Sequence, residues 1–298
     1  MEMPNKFKSI EIQDKEVFHE YLQSDPPMSS ELTFTNLFIW RHRYHPRWME
    51  EAGGLLIVLQ PDGGVPFGLP PVGPGDKARA LRFLAEHLRL LDPEARICRV
   101  PEDFVKRFVD PGEFEALEDR DNSDYVYLAE DLINLPGKKY HNKRNHLNRF
   151  LKSYSYEYRE LDEELVECFL DMQEQWCRIR ECKKDLGLLM EDYAVYQALT
   201  HFGELDYRGG AILLEGRVEA FTLGERLNEN TAVIHIEKAN PEVSGIYAAI
   251  NQFFCKEAWS DATYINREQD LGIEGLRKAK TSYGPHHMVD KYTLVPIS

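Results

Sequence analysis

At 298 residues, with 43% hydrophobic, 29% charged and 11% aromatic residues, the chain can bury a sizeable core and has room for two domains, which excludes a disordered tail. Acidic residues outnumber basic ones 51 to 36, for a formal net charge of -15 at pH 7. That balance excludes broad nucleic-acid binding, because most of the surface would repel a phosphate backbone.

No run reaches the roughly 18 apolar residues of a membrane span, and the opening Met1-Glu-Met-Pro-Asn-Lys is not followed by the apolar core of a signal peptide. A cytoplasmic location is expected. Five cysteines, Cys98, Cys168, Cys177, Cys182 and Cys255, form no C-x-x-C pair. Reduced thiols are therefore expected, with neither a disulfide framework nor a metal site.

In chain order, residues 30–41 read as a helix. Residues 55–59 and 65–68 read as a hairpin turning at Asp62-Gly63-Gly64. After a Pro/Gly-rich connection a helix opens at Asp76, with Ala78, Leu81, Leu84, Ala85, Leu88 and Leu91 at three- and four-residue steps. A strand at 96–100, a short helix after Pro101 and a strand at 125–128 follow. The second half offers helices at 163–182 and 190–202, then strands at 210–214, 218–227 and Thr231–Ala239. It closes with a helix at 245–259, a strand at 263–266, a helix at Glu274–Thr281 and a last strand at 288–295. The two halves share the pattern of helices, antiparallel meander, helix and strand, which suggests a structural duplication.

Residues 138–152, KKYHNKRNHLNRFLK, carry Lys138, Lys139, Lys143, Arg144, Arg149 and Lys152 and no acidic residue. A basic island on an acidic protein points to local phosphate contact, against a plain solvated helix exterior. In Thr231-Ala-Val-Ile-His-Ile-Glu-Lys, strict alternation puts His235 and Glu237 on one face, where a carboxylate can orient an imidazole or take a proton. Asn266-Arg267-Glu268-Gln269-Asp270 crowds five polar side chains at a strand exit, where ligand groups collect in α/β folds. Arg267 suits a two-pronged contact with a carboxylate or phosphate, and Glu268 or Asp270 an amine contact or a base, against an internal ion-pair network. In Glu274–Thr281, Lys280 offers an anion contact, and Tyr283 just beyond offers a phenolic proton. No Walker loop, G-x-G-x-x-G or G-x-S-x-G elbow is present, which removes the main support for kinase, dinucleotide oxidoreductase and hydrolase readings.

Phe34-Thr-Asn-Leu-Phe-Ile-Trp40, residues 137–150, Ile234-His-Ile-Glu-Lys238 and Ile265-Asn-Arg-Glu-Gln-Asp-Leu-Gly272 resemble a bacterial family of unknown function. That family is similar to the C-terminal domain of phosphatidylglycerol lysyltransferase, and the resemblance runs over nearly the whole chain. It implies a mixed α/β (α+β) tandem GNAT-like acyltransferase fold. Each of its two lobes, 1–135 and 136–298, would carry a mostly antiparallel sheet flanked by helices, as in Fem-type aminoacyltransferases. It also implies transfer of an aminoacyl group from a charged tRNA to an amine or hydroxyl of a small-molecule, peptide or lipid-precursor acceptor. Beyond that donor no cofactor is implied, and acetyl-CoA is the weaker donor because Lys238-Ala-Asn-Pro-Glu-Val-Ser-Gly245 replaces a pyrophosphate loop.

The expected site lies in the C-terminal lobe or in the groove between the lobes. Its catalytic candidates are His235, Glu237, Glu268 and Tyr283, its substrate-binding candidates Asn266, Arg267, Asp270 and Lys280, and its tRNA contacts Lys138, Lys139, Lys143 and Arg144. The rival readings are a CoA-dependent N-acetyltransferase on the same fold and a non-catalytic small-ligand or peptide binding protein.

Overall fold

The computed structural model describes residues 7–297. The fold is mixed α/β, with two seven-stranded sheets flanked by helices, and each sheet is mainly antiparallel with a parallel pair. The chain divides into two compact units.

The first unit runs to Asp124 and includes Gln269–Gly272 and the last strand. It opens with β1 (Lys8–Ser9), α1 (Lys15–Ser24), α2 (Phe34–Ile39) and α3 (Arg41–Tyr44). The hairpin of β2 (Arg47–Glu51) and β3 (Gly54–Leu59) follows, then β4 (Phe67–Gly68), α4 (Lys77–Leu91), β5 (Arg96–Pro101), α5 (Glu102–Phe108) and β6 (Phe114–Glu118). On α4, Asp76 caps the helix by accepting from the Arg79 amide at 3.0 Å, and Leu81, Leu84 and Leu88 are buried. The expected helix at 30–41 begins later, because the Thr33 hydroxyl accepts from the Asn36 amide at 3.0 Å and so fixes the start of α2. The preceding residues are buried instead. The Ser30 amide and hydroxyl donate to Asp124 at 2.9 and 3.0 Å, and Lys291 donates to both oxygens of Glu31 at 2.8 and 2.7 Å. A paired, hydrogen-bonded charge cluster of this kind can sit in a core that would reject either charge alone.

The second unit begins with β7 (Asp124–Leu128), α6 (Ala129–Asn134), α7 (His141–Ser153), β8 (Tyr156–Glu160), α8 (Glu163–Arg180) and α9 (Leu186–Thr200). Next come β9 (Arg208–Leu214), β10 (Arg217–Asn228), β11 (Thr231–Ala239), α10 (Ile246–Ala258), β12 (Tyr264–Asn266), α11 (Glu274–Thr281) and β13 (His287–Val289). The sheet order is β13-β7-β12-β11-β10-β9-β8, with β11 and β12 parallel. One face is covered by α7 and α10 through Phe150, Ile212, Ala220, Ala239, Ile246 and Ile250. The other receives α8, whose Phe169 ring lies 4.8 Å from that of Phe221. The chain then runs into β14 (Lys291–Pro296), which sits between β5 and β6 in the first sheet. The single strand expected at 288–295 is therefore two strands, divided at Asp290 and serving different sheets. The boundary expected after residue 135 falls just past the end of α6, whereas the compact units part at Asp124 and Tyr125.

One expectation about the cysteines is corrected. Cys177 and Cys182 form a disulfide with their Cα atoms 5.0 Å apart, and Cys98, Cys168 and Cys255 are free. Glu181, in the left-handed conformation at φ 52°, turns the chain at the end of α8 and brings the two close. Sequence spacing alone does not carry that turn.

Candidate functional site

The site is organised by a bulge in β11. Leu223 of β10 pairs with Ile236 of β11, yet the next β10 residue, Gly224, pairs with Ile234, so His235 is an extra residue in its strand. A bulge of this kind reverses the alternation beyond it. Ile234 packs in the cluster that holds Phe254 of α10, and Glu237 accepts from Asn251 Nδ2, also on α10, at 3.3 Å. Lys238 points the other way, to Glu191 of α9 at 2.6 Å and over the Trp176 ring of α8. His235 shares its face with Glu225, so His235 and Glu237 lie on opposite faces of the sheet. The shared face expected from strict alternation does not form.

On one face, His235 is held between two carboxylates. Its Nδ1 lies 2.7 Å from Glu268 and its Nε2 2.8 Å from Glu225, and its side chain is 2% exposed. Burial opposes a charge on the ring, but the hydrogen bonds and charges of Glu225 and Glu268 outweigh it and raise the pKa to about 10. His235 is thus an imidazolium at neutral pH, with both nitrogens donating. Glu268 adopts a left-handed backbone, φ 57°, and its amide donates to Asn266 Oδ1 at 2.8 Å. Asn266 is fully buried and shapes that turn.

On the other face, Arg267 Nη2 donates to Glu237 Oε1 at 2.9 Å, and the guanidinium carbon lies 5.0 Å from the centre of the Tyr283 ring. Arg267 and Glu237 side chains are 13% and 14% exposed. Burial works against the Arg267 charge, Glu237 more than compensates, and its pKa is raised. Burial pushes the Tyr283 phenol up to about 12. Lys280 donates to the Arg267 carbonyl, and the Tyr127 hydroxyl donates to the Lys280 carbonyl at 2.8 Å, which fixes α11 against this exit. Cys255 lies in the same surroundings, with burial pushing its thiol up to about 12, so it stays a thiol.

The basic island is split by the structure. Lys139 pairs with Asp131 at 2.8 Å, and Arg144 donates to the carbonyls of Leu135 and Gly137, tying down the turn after α6. Lys138 is exposed, as are Arg149 and Lys152. Lys143 turns inward, its Nζ 3.7 Å from the centre of the Tyr283 ring. Among the described residues, no group of three or more His, Cys, Asp or Glu side chains could hold a metal ion, and no helix is long and apolar enough to cross a membrane.

The model of the phosphatidylglycerol lysyltransferase C-terminal family matches residues 26–295. The chain belongs to that family. A crystal structure of a conserved protein of unknown function from Bacteroides thetaiotaomicron is 34% identical, covers 100% of both chains and superposes with a TM-score of 0.90. L-PGS from Bacillus licheniformis, 15% identical, covers 96% of this chain and 92% of its own with a TM-score of 0.67. A tandem GNAT protein from the clavulanic acid biosynthesis pathway, 11% identical, covers 97% and 98% with a TM-score of 0.52. The last two likenesses speak for the fold alone. An uncharacterised protein of Mycoplasmoides gallisepticum is 26% identical over 179 residues, 57% of this chain and 55% of that relative. The chain thus spans about half the length of the curated relative it matches.

In this member of the lysyltransferase C-terminal family, the residues expected to form one site fall into three groups. Glu237, Arg267, Lys280 and Tyr283 come together, joined by Lys143. His235 and Glu268 form a separate imidazolium pair with Asn266 beside them. Asp270 belongs to the first unit, where it is fully buried, accepts from the Gly272 amide at 2.9 Å and receives Arg120 at 3.3 Å. Two members of these clusters escaped sequence reasoning. Glu225 is the one carboxylate in the stretch 220–227 of β10, and Asn251 is a buried amide beside Gln252 in the middle of α10. A buried polar residue interrupting an apolar element was the available signal.

Proposed function

We propose that this chain is an aminoacyl transferase that moves an aminoacyl group from a charged tRNA to an amine or hydroxyl acceptor, with its site around Arg267, Glu237 and Tyr283. The observation carrying this reading is the placement of a buried guanidinium, its carboxylate partner and a high-pKa phenol at the end of β12, in a chain of this family. An aminoacyl ester is already activated. What the protein must add is orientation, positive charge for the developing oxyanion and a proton for the departing oxygen. Arg267 spends one amino group on Glu237, and its planar fork carries further donors for a carbonyl oxygen that gains charge. Tyr283 stays protonated across the working range and can donate to the leaving oxygen. Lys280 and Asn266 hold the loop that presents Arg267. His235 and Glu268 support the same loop from the opposite face of the sheet. The exposed Lys138, Arg149 and Lys152 offer the tRNA backbone a surface without acidic competition in residues 138–152.

The start of α10 argues against acetyl-CoA as donor. The Ser244 amide donates to the Tyr154 hydroxyl at 3.2 Å and the Ile246 amide to the Val243 carbonyl at 3.3 Å. An added Cβ on Gly245 would lie 2.2 Å from the His146 carbonyl oxygen. A pyrophosphate seeking the open helix N-terminus would meet α7 there.

The test is transfer of label. tRNA charged with one radiolabelled amino acid at a time is incubated with the protein and with phosphatidylglycerol vesicles, primary amines or peptide acceptors in parallel. Label moving to one acceptor, and not moving with Arg267→Met, supports the reading. Label released only at the protein-free rate under every combination overturns it.

A further inference from the structure

Lys143 was expected to meet a phosphate backbone, yet its side chain is turned away from the exposed face of α7. The ammonium nitrogen sits 3.7 Å from the centre of the Tyr283 ring, and the Arg267 guanidinium carbon lies 5.0 Å from the same ring. Two cationic side chains therefore converge on one phenol, and Arg267 already holds the nearby carboxylate, Glu237, at 2.9 Å. The groups facing Lys143 are Glu237 from β11, Arg267 after β12 and Tyr283 after α11. On its own helix, Arg144 is directed to the Leu135 and Gly137 carbonyls, and just before the helix Lys139 is directed to Asp131. Burial first, and the Arg267 charge second, lower its pKa to about 8, with Glu237 raising it in part. An amine with that surrounding is neutral in a useful fraction of molecules near pH 7 to 8, which an exposed lysine is not.

We propose that Lys143 is the proton-accepting amine of this site, serving the transfer of an acyl group to a primary amine acceptor. The inference rests on the aminoacyl-transfer reading and adds the acceptor class to it. The neutral Lys143 amine takes a proton from the acceptor ammonium. The freed acceptor nitrogen bonds to the ester carbonyl carbon, and the carbonyl π pair moves onto the oxygen, beside Arg267. On collapse the carbon–oxygen ester bond breaks. The Tyr283 phenol gives its proton to the departing oxygen and is reprotonated by the Lys143 ammonium beside it, and the Lys143 amine so restored takes the second proton from the new amide nitrogen. The products are an amide, an alcohol and a Lys143 ammonium, which loses its proton to solvent before the next turn. Lysine is suited to this work and arginine is not, because a guanidinium does not deprotonate in proteins.

Two measurements on the full chain test it. In the first, competitive labelling with acetic anhydride is followed by mass spectrometry of the peptide carrying Lys143 across a pH series. Lys143 should titrate near pH 8, well below the exposed lysines, and its midpoint should rise in Arg267→Met. In the second, transfer from charged tRNA to a primary amine is followed against pH. The wild type should show a limb near pH 8. Lys143→Met should lose that limb and fall roughly 10²–10⁴-fold, and Lys143→Arg should not recover it. Recovery by Lys143→Arg, or ordinary titration of Lys143 in a protein that transfers normally, overturns the base role alone. Transfer confined to hydroxyl acceptors overturns the acceptor class. Absence of any transfer by the wild type overturns the aminoacyl reading and the base role with it, whatever the labelling shows.

Discussion

His235 and Glu237 stand two residues apart on β11 and face opposite sides of the sheet, because the bulge at His235 reverses the alternation between them. The consequence is a division of labour. The His235 face carries a closed arrangement of one imidazolium and two carboxylates, and the Glu237 face carries a half-closed group of cations and a phenol. Substitutions on the two faces should therefore affect different observables.

Stability should fall as the pH rises through the range set by His235. Its pKa is about 10 in the folded protein and 6.5 in an ordinary environment. The folded state therefore keeps a proton that the unfolded chain releases, so the contribution is complete below pH 6.5 and is lost as the pH passes about 10. His235→Gln should remove this slope and cost about 3–5 kcal/mol at neutral pH, since Glu225 and Glu268 are left without their cation. Urea unfolding at pH 6.5 and at about pH 9.5 measures both. A gap between wild type and His235→Gln that is the same at the two pH values would sink the imidazolium assignment.

Much of the fold was legible from local signals. The α4 periodicity, the Asp76 cap and the strands of the β10–β11 meander all follow from side chains next to one another in sequence. What was not legible depends on partners far along the chain. Ser30 and Glu31 read as a helix start because their partners, Asp124 and Lys291, lie 94 and 260 residues away. The polar strand exit at Asn266 to Asp270 was visible as a concentration of charge. Its split into separate clusters was not, since a one-residue bulge leaves no mark in the hydrophobic pattern of β11. For the same reason Lys143 was read with its helical neighbours, although its surroundings come from β11, from the end of β12 and from Tyr283.

tRNA binding should depend on the outward part of the basic island. Lys138→Ala, Arg149→Ala and Lys152→Ala together should weaken binding and lower the slope of log affinity against log salt by up to about one unit per lost phosphate contact. Arg144→Ala should act differently. It frees the Leu135 and Gly137 carbonyls and lowers the melting temperature without a matching change in slope. Filter binding at a series of salt concentrations beside thermal melts separates the two. An unchanged slope in the triple variant removes this face from tRNA contact.

Gly245 should tolerate no side chain. Its φ is 85°, and a Cβ there would lie 2.2 Å from the His146 carbonyl oxygen and 3.2 Å from the Phe150 Cβ. Gly245→Ala combines an unfavourable backbone conformation with a backbone collision, so a loss of about 1–3 kcal/mol is expected. Chemical denaturation gives the value. A loss below about 0.5 kcal/mol, the range of neutral surface changes, would mean that α7 and α10 do not pack as described.

Arg267 and Glu268 are neighbours in sequence that should separate most clearly in function. Arg267→Lys keeps a positive charge but loses the planar fork that aims separate N–H groups at Glu237 and at a substrate oxygen in fixed directions. Transfer should drop by roughly 10²–10³-fold, the usual worth of one oxyanion donor, with little change in melting temperature. Glu268→Gln should behave in the opposite way. The imidazolium of His235 loses one of its two carboxylates, the melting temperature falls, and transfer per folded molecule stays close to that of the wild type. Initial rates normalised to the folded fraction, measured beside melts on both variants, decide between the two roles. If Glu268→Gln abolishes transfer while its melt is unchanged, then Glu268 acts directly in the chemistry, and the site must be redrawn around the strand exit on the His235 face.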